Sequence, residues 1–433
     1  MLRVFAQAFR TPDLRKKLLF TLGIIAIFRL GSVVPTPGVD VTAVKTCVDL
    51  AGSAGVYGML NLFSGGALLQ LAVFALGIIP YITASIILQL LTVVIPRLEA
   101  LRKEGQSGQT QITQYTRYLT VGLAVLQSTT VITLARSGNF FPNCPEDVLA
   151  DDSVTAVAVM ILTMTAGTAM VMWLGELITD RGVGNGMSLL IFTQIVASVP
   201  GMFWGIKVSD GWGVFSIVVA VGLVVVTLIV FVEQAQRRIP VQYAKRMVGR
   251  RMYGGSATYI PMKINQGGVI PVIFAASLMY LPLLAAQFNP TAEWSVWVQA
   301  NFQTGSHPVY VALYFLLIVG FTFFYVSITF NPKDIADNMK KYGGFIPGIR
   351  AGRSTEEYLN YVLSRLTSAG AIYLALVALL PLVAFNIINP GQGSSFNNTF
   401  GGTSILIMIG VGLQTVQQIE SQLQQRNYEG FLR

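Results

Sequence analysis

Charged residues, histidine and cysteine are all scarce in this sequence of 433 residues. Only 11% of the residues are charged, whereas about 25% is usual for a soluble protein, and 53% are hydrophobic. One histidine and two cysteines leave little material for a metal site. The composition therefore excludes a disordered protein, an ordinary soluble enzyme and a disulfide-rich secreted module, and it predicts an integral membrane protein.

The two cysteines, Cys47 and Cys144, are far apart and match no metal-ligand spacing. They are either ordinary residues or partners in a disulfide formed outside the cytoplasm. The formal net charge of +9 fits contact with nucleic acid, contact with anionic lipid, or membrane orientation. The positions of the positive charges decide between these alternatives.

Ten apolar stretches are long enough to cross a membrane, since about 20 helical residues span its hydrocarbon core. They cover approximately residues 18–34, 71–95, 118–135, 154–175, 187–206, 214–232, 268–286, 309–330, 366–386 and 403–419. Twenty-five of the 29 Lys and Arg residues fall in the termini and in alternate loops, all on one side of this arrangement. Cytoplasmic loops retain positive charge, so both termini are predicted to be cytoplasmic.

Acidic residues are missing from the interior of the predicted spans, and the one basic residue there is Arg29 in the first span. Ion-driven transporters and ion-selective channels usually place such residues within the membrane. Here the acidic Glu176 lies only at a cytoplasmic edge. A pore through this bundle would be lined by apolar and weakly polar groups, which can exclude water but cannot select ions by charge.

Three segments depart from the pattern of spans and short loops. Residues 55–70, GVYGMLNLFSGGALLQ, are apolar but too short and glycine-rich to cross a bilayer, so they form either a re-entrant segment or an external loop. The cytoplasmic loops 233–263 and 331–357 are long, and the first carries seven basic residues against one acidic residue. Each is either a solvated loop that fixes topology or part of a docking surface for phosphate or acidic groups.

Six motifs, in order along the chain, resemble the SecY family of large subunits of the bacterial protein translocation channel. They read FSGGALLQLAVFALGIIPYITASIILQLL (63–91), GELITDRGVGNGMSLLIF (175–192), QRRIPVQYAKR (236–246), GGVIPVIFAAS (267–277), FNPKDIADNMKKYGGFIPGIRAG (330–352) and GGTSILI (401–407). The resemblance implies an all-α integral membrane protein. Its ten transmembrane helices would form two pseudo-symmetric five-helix halves, an inverted repeat around a central pore with a re-entrant plug.

The implied organisation has four parts. They are a cytoplasmic amphipathic segment (1–17), an N-terminal half with spans one to five (18–206), a C-terminal half with spans six to ten (207–419) and a cytoplasmic tail (420–433). The two long cytoplasmic loops belong to the C-terminal half. The family resides in the bacterial cytoplasmic (inner) membrane, where it conducts unfolded secretory polypeptides across and releases membrane-protein helices sideways into lipid.

The resemblance also implies a plug and a pore ring. The plug, about residues 57–70, would close the external funnel and includes Asn61, Phe63, Ser64, Gly65 and Gly66. The ring would consist of apolar side chains at Ile78, Ile82, Met187, Ile191, Ile273 and Ile407. Ile78 with Ile82, and Met187 with Ile191, are spaced i, i+4, and this spacing independently places both residues of each pair on one helix face. Methionine departs from the family's preference for isoleucine and is more pliable.

The remaining implied residues belong to a gate and a docking surface. The second and seventh spans would line a lateral gate, with Gln89, Gln127 and Asn265 as candidate polar contacts for signal sequences and nascent chains. Translating ribosomes or the SecA motor ATPase would dock through Arg250, Arg251 and Arg350, since guanidinium groups bind phosphates and carboxylates. The family also works with the subunits SecE and SecG. Membrane lipid is a further expected partner, and DNA is not.

Two other classes of protein are weaker interpretations. A secondary transporter needs a binding site at the membrane midplane, and the lack of intramembrane carboxylates argues against one. An intramembrane enzyme needs a metal-binding or nucleophilic motif, but the one histidine, His307, is predicted in an external loop. The sequence also has no phosphate-binding loop motif. We therefore expect a passive channel without cofactor or metal, energised by a partner.

Overall fold

The chain folds into a bundle of helices that carries a small sheet. The computed structural model describes residues 7–51, 66–136, 138, 148–151, 153–243, 246–248, 251–253, 257–288, 292–302, 307–388 and 402–431. In the first half of the chain the helices are α1 (Pro12–Gly31), α2 (Val41–Ala51), α3 (Ile79–Val94), α4 (Pro96–Lys103), α5 (Gln106–Arg136), α6 (Val154–Arg181) and α7 (Gly186–Gln234). In the second half they are α8 (Ile270–Phe288), α9 (Glu293–Phe302), α10 (Pro308–Thr329), α11 (Pro332–Lys341), α12 (Arg353–Ile388) and α13 (Gly402–Phe431).

Each of the ten predicted apolar stretches coincides at least partly with one of these helices. Within the described residues, six helices are long and apolar enough to cross a membrane, and a seventh is added if α3 and α4 form one broken span, bent by 99°. Two shorter apolar helices, Gly186–Gly201 and Ile270–Leu283, coincide with the fifth and seventh predicted spans. A multi-pass membrane protein is confirmed, and the number of ten spans stays a prediction.

The second predicted span starts later than its hydropathy indicates. Residues 66–78 form turns, and α3 begins only at Ile79. Gly77 has a φ of 54°, a left-handed conformation that glycine adopts without steric cost. Pro80 follows in the first turn of the helix, where its missing N–H is no loss. Backbone geometry therefore overrides the apolar run between residues 71 and 78.

Polar residues at the N-terminal ends fix where several helices begin. Ser153 caps α6 by accepting the Ala156 N–H at 3.3 Å, and Asn331 caps α11. His307, the one histidine, caps α10, where its Nδ1 accepts the Val309 N–H at 3.4 Å. Each side chain satisfies a backbone donor that lacks a partner within the helix.

The cytoplasmic loop predicted at 233–263 contains strands, so the expectation of an all-α protein holds only for the bundle. The strands are β1 (Gln236–Tyr243), β2 (Arg246–Val248), β3 (Arg251–Tyr253) and β4 (Ala257–Lys263), with β5 (Gly344–Phe345) from the second loop. β1 pairs antiparallel with β4 on one side and with β5 on the other. Ile239 and Val241 alternate inward from β1, and this period of two is the signal for a strand.

One of the two cysteines, on helix α2, takes part in a disulfide. Cys47 on α2 is fully buried and disulfide-bonded, in a cluster with Val44, Leu68 and Val148. The only other cysteine of the sequence, Cys144, lies outside the described residues. Of the two alternatives for Cys47, an ordinary residue or a disulfide partner, the structure contains the disulfide.

Candidate pore and gate

All six residues predicted to form the ring belong to one hydrophobic cluster at the centre of the bundle. Ile78, Ile191, Ile273 and Ile407 are buried, and Ile82 and Met187 pack against them half-buried. The six side chains come from four segments: the start of α3, the start of α7, the first turn of α8 and the second turn of α13. The fold therefore brings together residues up to 329 positions apart in the sequence, between 78 and 407. Their function as a constriction stays a prediction.

The start of α7 is fixed tightly against α6. Asn185 caps α7 by accepting the N–H groups of Met187 and Ser188 at 3.1 and 3.3 Å. A Cβ atom at Gly186 would overlap the carbonyl oxygen of Gly175 on α6, so glycine permits this close approach. A Cβ atom at Gly175 would collide with the sulfur of Met187. The longer methionine side chain therefore occupies the space above a glycine of α6, which explains how it fits at this position.

A cavity of about 380 Å³ adjoins the cluster between α3, α5, α6, α7 and α8. Its apolar wall includes Ile82, Met187, Ile191 and Ile273, four of the predicted ring residues. Its polar wall includes Ser85, Gln89, Arg117, Glu176, Asp180 and Asn185. The cavity is thus polar along one wall and bounded by the apolar cluster along another, which suits a vestibule leading to an apolar constriction.

An ion pair that the sequence did not predict stands in the wall of this cavity. Arg117 on α5 donates to Glu176 on α6 through Nε at 2.9 Å and through Nη2 at 2.8 Å. The Glu176 side chain is 18% exposed and that of Arg117 is 43% exposed. Such two-pronged pairing is the strongest geometry for these groups, and it joins the two helices at the cavity. Residues 59 positions apart gave no sequence signal for it.

The three polar residues predicted at the lateral gate lie in different surroundings. Gln89 is half-buried in the cavity wall, where its amide nitrogen lies 3.4 Å from the Ser85 hydroxyl. Gln127 is buried in α5. Asn265 precedes α8, and its amide donates to Glu233 at 2.6 Å and to the Gly268 carbonyl at 3.1 Å.

The two sides of the predicted gate touch in this structure. Helix α8, from the C-terminal half, contacts both α3 and α5 from the N-terminal half. Gln89 therefore lies on one of the helices that meet there, while Asn265 binds within the C-terminal half. The gate function of the three residues stays a prediction.

Most of the predicted plug lies outside the described residues, namely Asn61, Phe63, Ser64 and Gly65. Gly66 is the first described residue of this part of the chain and has a φ of 94°. The turns that follow are held by hydrogen bonds to the segment after α1. The Thr36 hydroxyl donates to the Leu71 carbonyl at 2.7 Å, and the Val73 N–H donates to the Val34 carbonyl at 2.9 Å.

The two predicted docking loops form one surface. β1 from the first loop pairs with β5 from the second, with Tyr243 opposite Gly344. Arg350 is exposed in the turn that follows β5. Arg251 lies on the short strand β3, whereas Arg250 is outside the described residues. Within the described chain, no group of three or more His, Cys, Asp or Glu residues could hold a metal ion.

The fold is that of membrane channels that conduct proteins. A solved structure of a SecY protein, whose plug domain stabilises the closed state of the translocation channel, matches with a TM-score of 0.64 at 17% identity, over 94% of this chain and 91% of that one. The channel of a canine ribosome–channel complex from the endoplasmic reticulum matches with a TM-score of 0.59 at 15% identity, over the same shares of the two chains. At these identities the likeness concerns the fold.

The sequence defines the family. A sequence model of the SecY family matches residues 72–416. The protein translocase subunit SecY of Streptomyces scabiei is 64% identical over 441 residues, which cover 100% of both chains. The chain belongs to the SecY family.

Proposed function

We propose that this protein is the channel through which unfolded polypeptides cross the bacterial cytoplasmic membrane and from which membrane-protein helices pass sideways into lipid. The observation that carries this proposal is the convergence of six apolar side chains from four segments beside a cavity that has one apolar and one polar wall. Membership of the SecY family supports the same function, because curated relatives are named protein translocase subunits. Both termini are proposed to face the cytoplasm.

The proposed ring would seal the channel without selecting its cargo. Branched apolar side chains are stiff at the first side-chain torsion and offer no hydrogen bonds, so they can surround any extended peptide. In the resting protein four of the six side chains are buried within one hydrophobic cluster, with Ile407 fully buried. A threading polypeptide would replace these contacts with its own, so the apolar waist would stay closed to water and ions.

The proposed gate lies where α8 meets α3 and α5. The two halves are proposed to be residues 18–206 and 207–419, flanked by the N-terminal segment 1–17 and the tail 420–433. Among the described helices, α3, α5 and α6 contact one another in sequence, and so do α8, α10, α12 and α13, which supports this division. Separation of the halves along α8 would open a path from the ring to lipid for signal sequences, with Gln89, Gln127 and Asn265 as polar contacts.

The proposed plug, about residues 57–70, would cover the ring from the external side. A plug domain is named in the SecY structure of similar fold, where it stabilises the closed channel. Asn61, Phe63, Ser64, Gly65 and Gly66 are proposed as its members. Glycine and serine suit a segment that must leave its position at low cost.

The channel is proposed to be passive and to take its energy from a partner. SecA or a translating ribosome would dock on the surface formed by both cytoplasmic loops, through Arg250, Arg251 and Arg350. The pairing of β1 with β5 supports a single surface, and the canine channel of similar fold was solved with a ribosome. SecE and SecG are proposed as further subunits.

Reconstitution tests this function directly. Vesicles that contain the protein with SecE, SecG and the SecA motor should protect a signal-bearing chain from external protease when ATP is supplied. Arg350→Ala should slow this import, because it removes an exposed cation of the docking surface. Arg353→Ala is the matched control, since Arg353 is exposed but already paired with Glu357 at 3.1 Å. Absence of import by the wild-type protein would refute the proposal, and equal slowing by both variants would remove Arg350 from the docking surface.

A further inference from the structure

Gln194 on α7 is a buried polar side chain to which no described residue offers a hydrogen bond. It is fully buried, and among the described residues neither its amide nitrogen nor its amide oxygen has a hydrogen-bond partner. Its neighbours Leu190, Ile191 and Ile195 belong to the central apolar cluster. Buried amides are nearly always hydrogen-bonded, since an unmet donor or acceptor in an apolar environment costs free energy. This exception needs a physical reason.

The helix geometry places Gln194 on the face that carries the predicted ring. Gln194 follows Met187 by seven residues, which is two turns with a drift of about 20°. It follows Ile191 by three residues, or about 4.5 Å along the axis. Val196, about 160° around the helix from Gln194, is exposed. Gln194 therefore faces the interior, one turn beyond Ile191.

The cavity shows on which side of the predicted ring Gln194 lies. Met187, Ser188 and Ile191 of α7 line the cavity together with the capping residue Asn185, whereas Gln194 does not. Proceeding along α7 from the cavity, a chain that threads the ring would meet Met187 and Ile191 first and Gln194 next. Gln194 is thus the first amide-bearing side chain of this helix face on the far side of the apolar constriction.

An amide in this position has a natural partner in the backbone of the threading chain. Glutamine offers one acceptor and two donors, and every peptide unit except that of proline offers one donor and one acceptor. Such a contact does not depend on the side chains of the cargo. The ring residues themselves cannot supply it, because they carry no hydrogen-bonding side-chain groups. The partner that the described residues do not provide would then be supplied by the substrate.

We propose that Gln194 binds the polypeptide backbone just beyond the ring, where its amide holds an extended chain and slows its backward slip. This inference rests on the proposed function and adds a substrate-binding residue to it. In the resting channel the unmet amide is tolerated as the cost of a contact made during transport. An apolar residue of the same length would pack as well in the closed state but could not hydrogen-bond to the threading chain.

The rate at which a stalled polypeptide slips back out of vesicles measures the contact between Gln194 and the chain. A signal-bearing chain with a folded domain at its end is driven in by the motor until it stalls, ATP is then removed, and the length protected from protease is followed over time. Gln194→Met keeps the length and apolar volume of the side chain and should let the stalled chain slip back about fivefold faster, the ratio expected for one hydrogen bond. Thr193→Val is the control, because the Thr193 hydroxyl already donates to the Leu189 carbonyl at 2.8 Å, and it should slip like the wild type.

A change in the substrate provides a second measurement that does not depend on folding of a variant. A stalled segment in which ester bonds replace peptide bonds lacks N–H donors, so it should slip faster than the peptide through the wild-type channel. Through the Gln194→Met channel the ester and peptide segments should slip at equal rates. Equal slip of the peptide segment through wild-type and Gln194→Met channels would overturn the inference.

The two proposals fail in different ways. If the wild-type vesicles import nothing, the channel function itself is wrong. If they import the chain but its slip is insensitive to Gln194→Met and to the ester segment, only the role of Gln194 is wrong. A loss of thermal stability in Gln194→Met without any change in slip would show that the amide is satisfied in the resting protein, by a buried water, and would also overturn the inference.

Discussion

Shortening a single ring side chain tests whether the apolar cluster seals the channel. Ile191→Ala removes three carbon atoms from a side chain that is only 4% exposed. Deletions of this kind in a packed core cost about 2–5 kcal/mol of folding free energy. Leu190→Ala removes three carbon atoms from the preceding residue of the same cluster, but Leu190, unlike Ile191, does not line the cavity beside the predicted ring. The pair therefore separates loss of packing from loss of the seal.

The two variants should lose similar stability but differ in ion conductance. The space left by Ile191→Ala at the proposed constriction is roughly that of two waters at about 30 Å³ each. This is enough for water to enter the constriction. Ion flux through vesicles that contain the closed channel, followed with a voltage-sensitive dye, should rise severalfold for Ile191→Ala and stay at the wild-type level for Leu190→Ala. Equal leaks from both variants, or no leak from either, would refute the assignment of Ile191 to the seal.

Three further predictions concern stability and covalent structure. Glu176→Gln breaks the pair with Arg117 and, because both groups are partly exposed, should cost only about 1 kcal/mol in thermal unfolding; a double-mutant cycle with Arg117→Gln that gives no coupling would contradict this. Tyr314→Phe removes the hydroxyl that lies 2.9 Å from that of Thr403 and should cost about 1 kcal/mol, whereas an unchanged unfolding temperature would count against the bond. Cys47 should resist maleimide in the unfolded, unreduced protein and react after reduction, and labelling without reductant would show that it is not disulfide-bonded.

The positions of the helices followed from hydropathy, because an apolar run of sufficient length has few other stable structures in a membrane. The start of α3 did not follow, since hydropathy is blind to the left-handed conformation of Gly77. The sheet was also missed. Ile239 and Val241 carry the alternation of a strand, but the high positive charge of their loop obscured this short pattern.

Less of the candidate site than of the helices could be predicted from the sequence. Spacing alone could join Ile78 with Ile82, but bringing Ile273 and Ile407 into the same cluster required the family resemblance or the fold. The pair of Arg117 with Glu176 depends on how two helices pack and has no local signature. Gln194 resembled any other residue of an apolar helix until its burial and its lack of partners among the described residues were known.

The most direct test of the central claim is cross-linking of a stalled polypeptide inside the ring. In a channel whose two native cysteines are replaced by serine, Ile273→Cys and Ile407→Cys should each form a disulfide with a cysteine in the part of the chain that spans the membrane. Ile318→Cys is the control, because Ile318 is fully buried in the same cluster but lies on α10, which contributes no ring residue. Cross-links at residues 273 and 407 but not at 318 are predicted, and a polypeptide that is imported without cross-linking to either ring position would contradict the account.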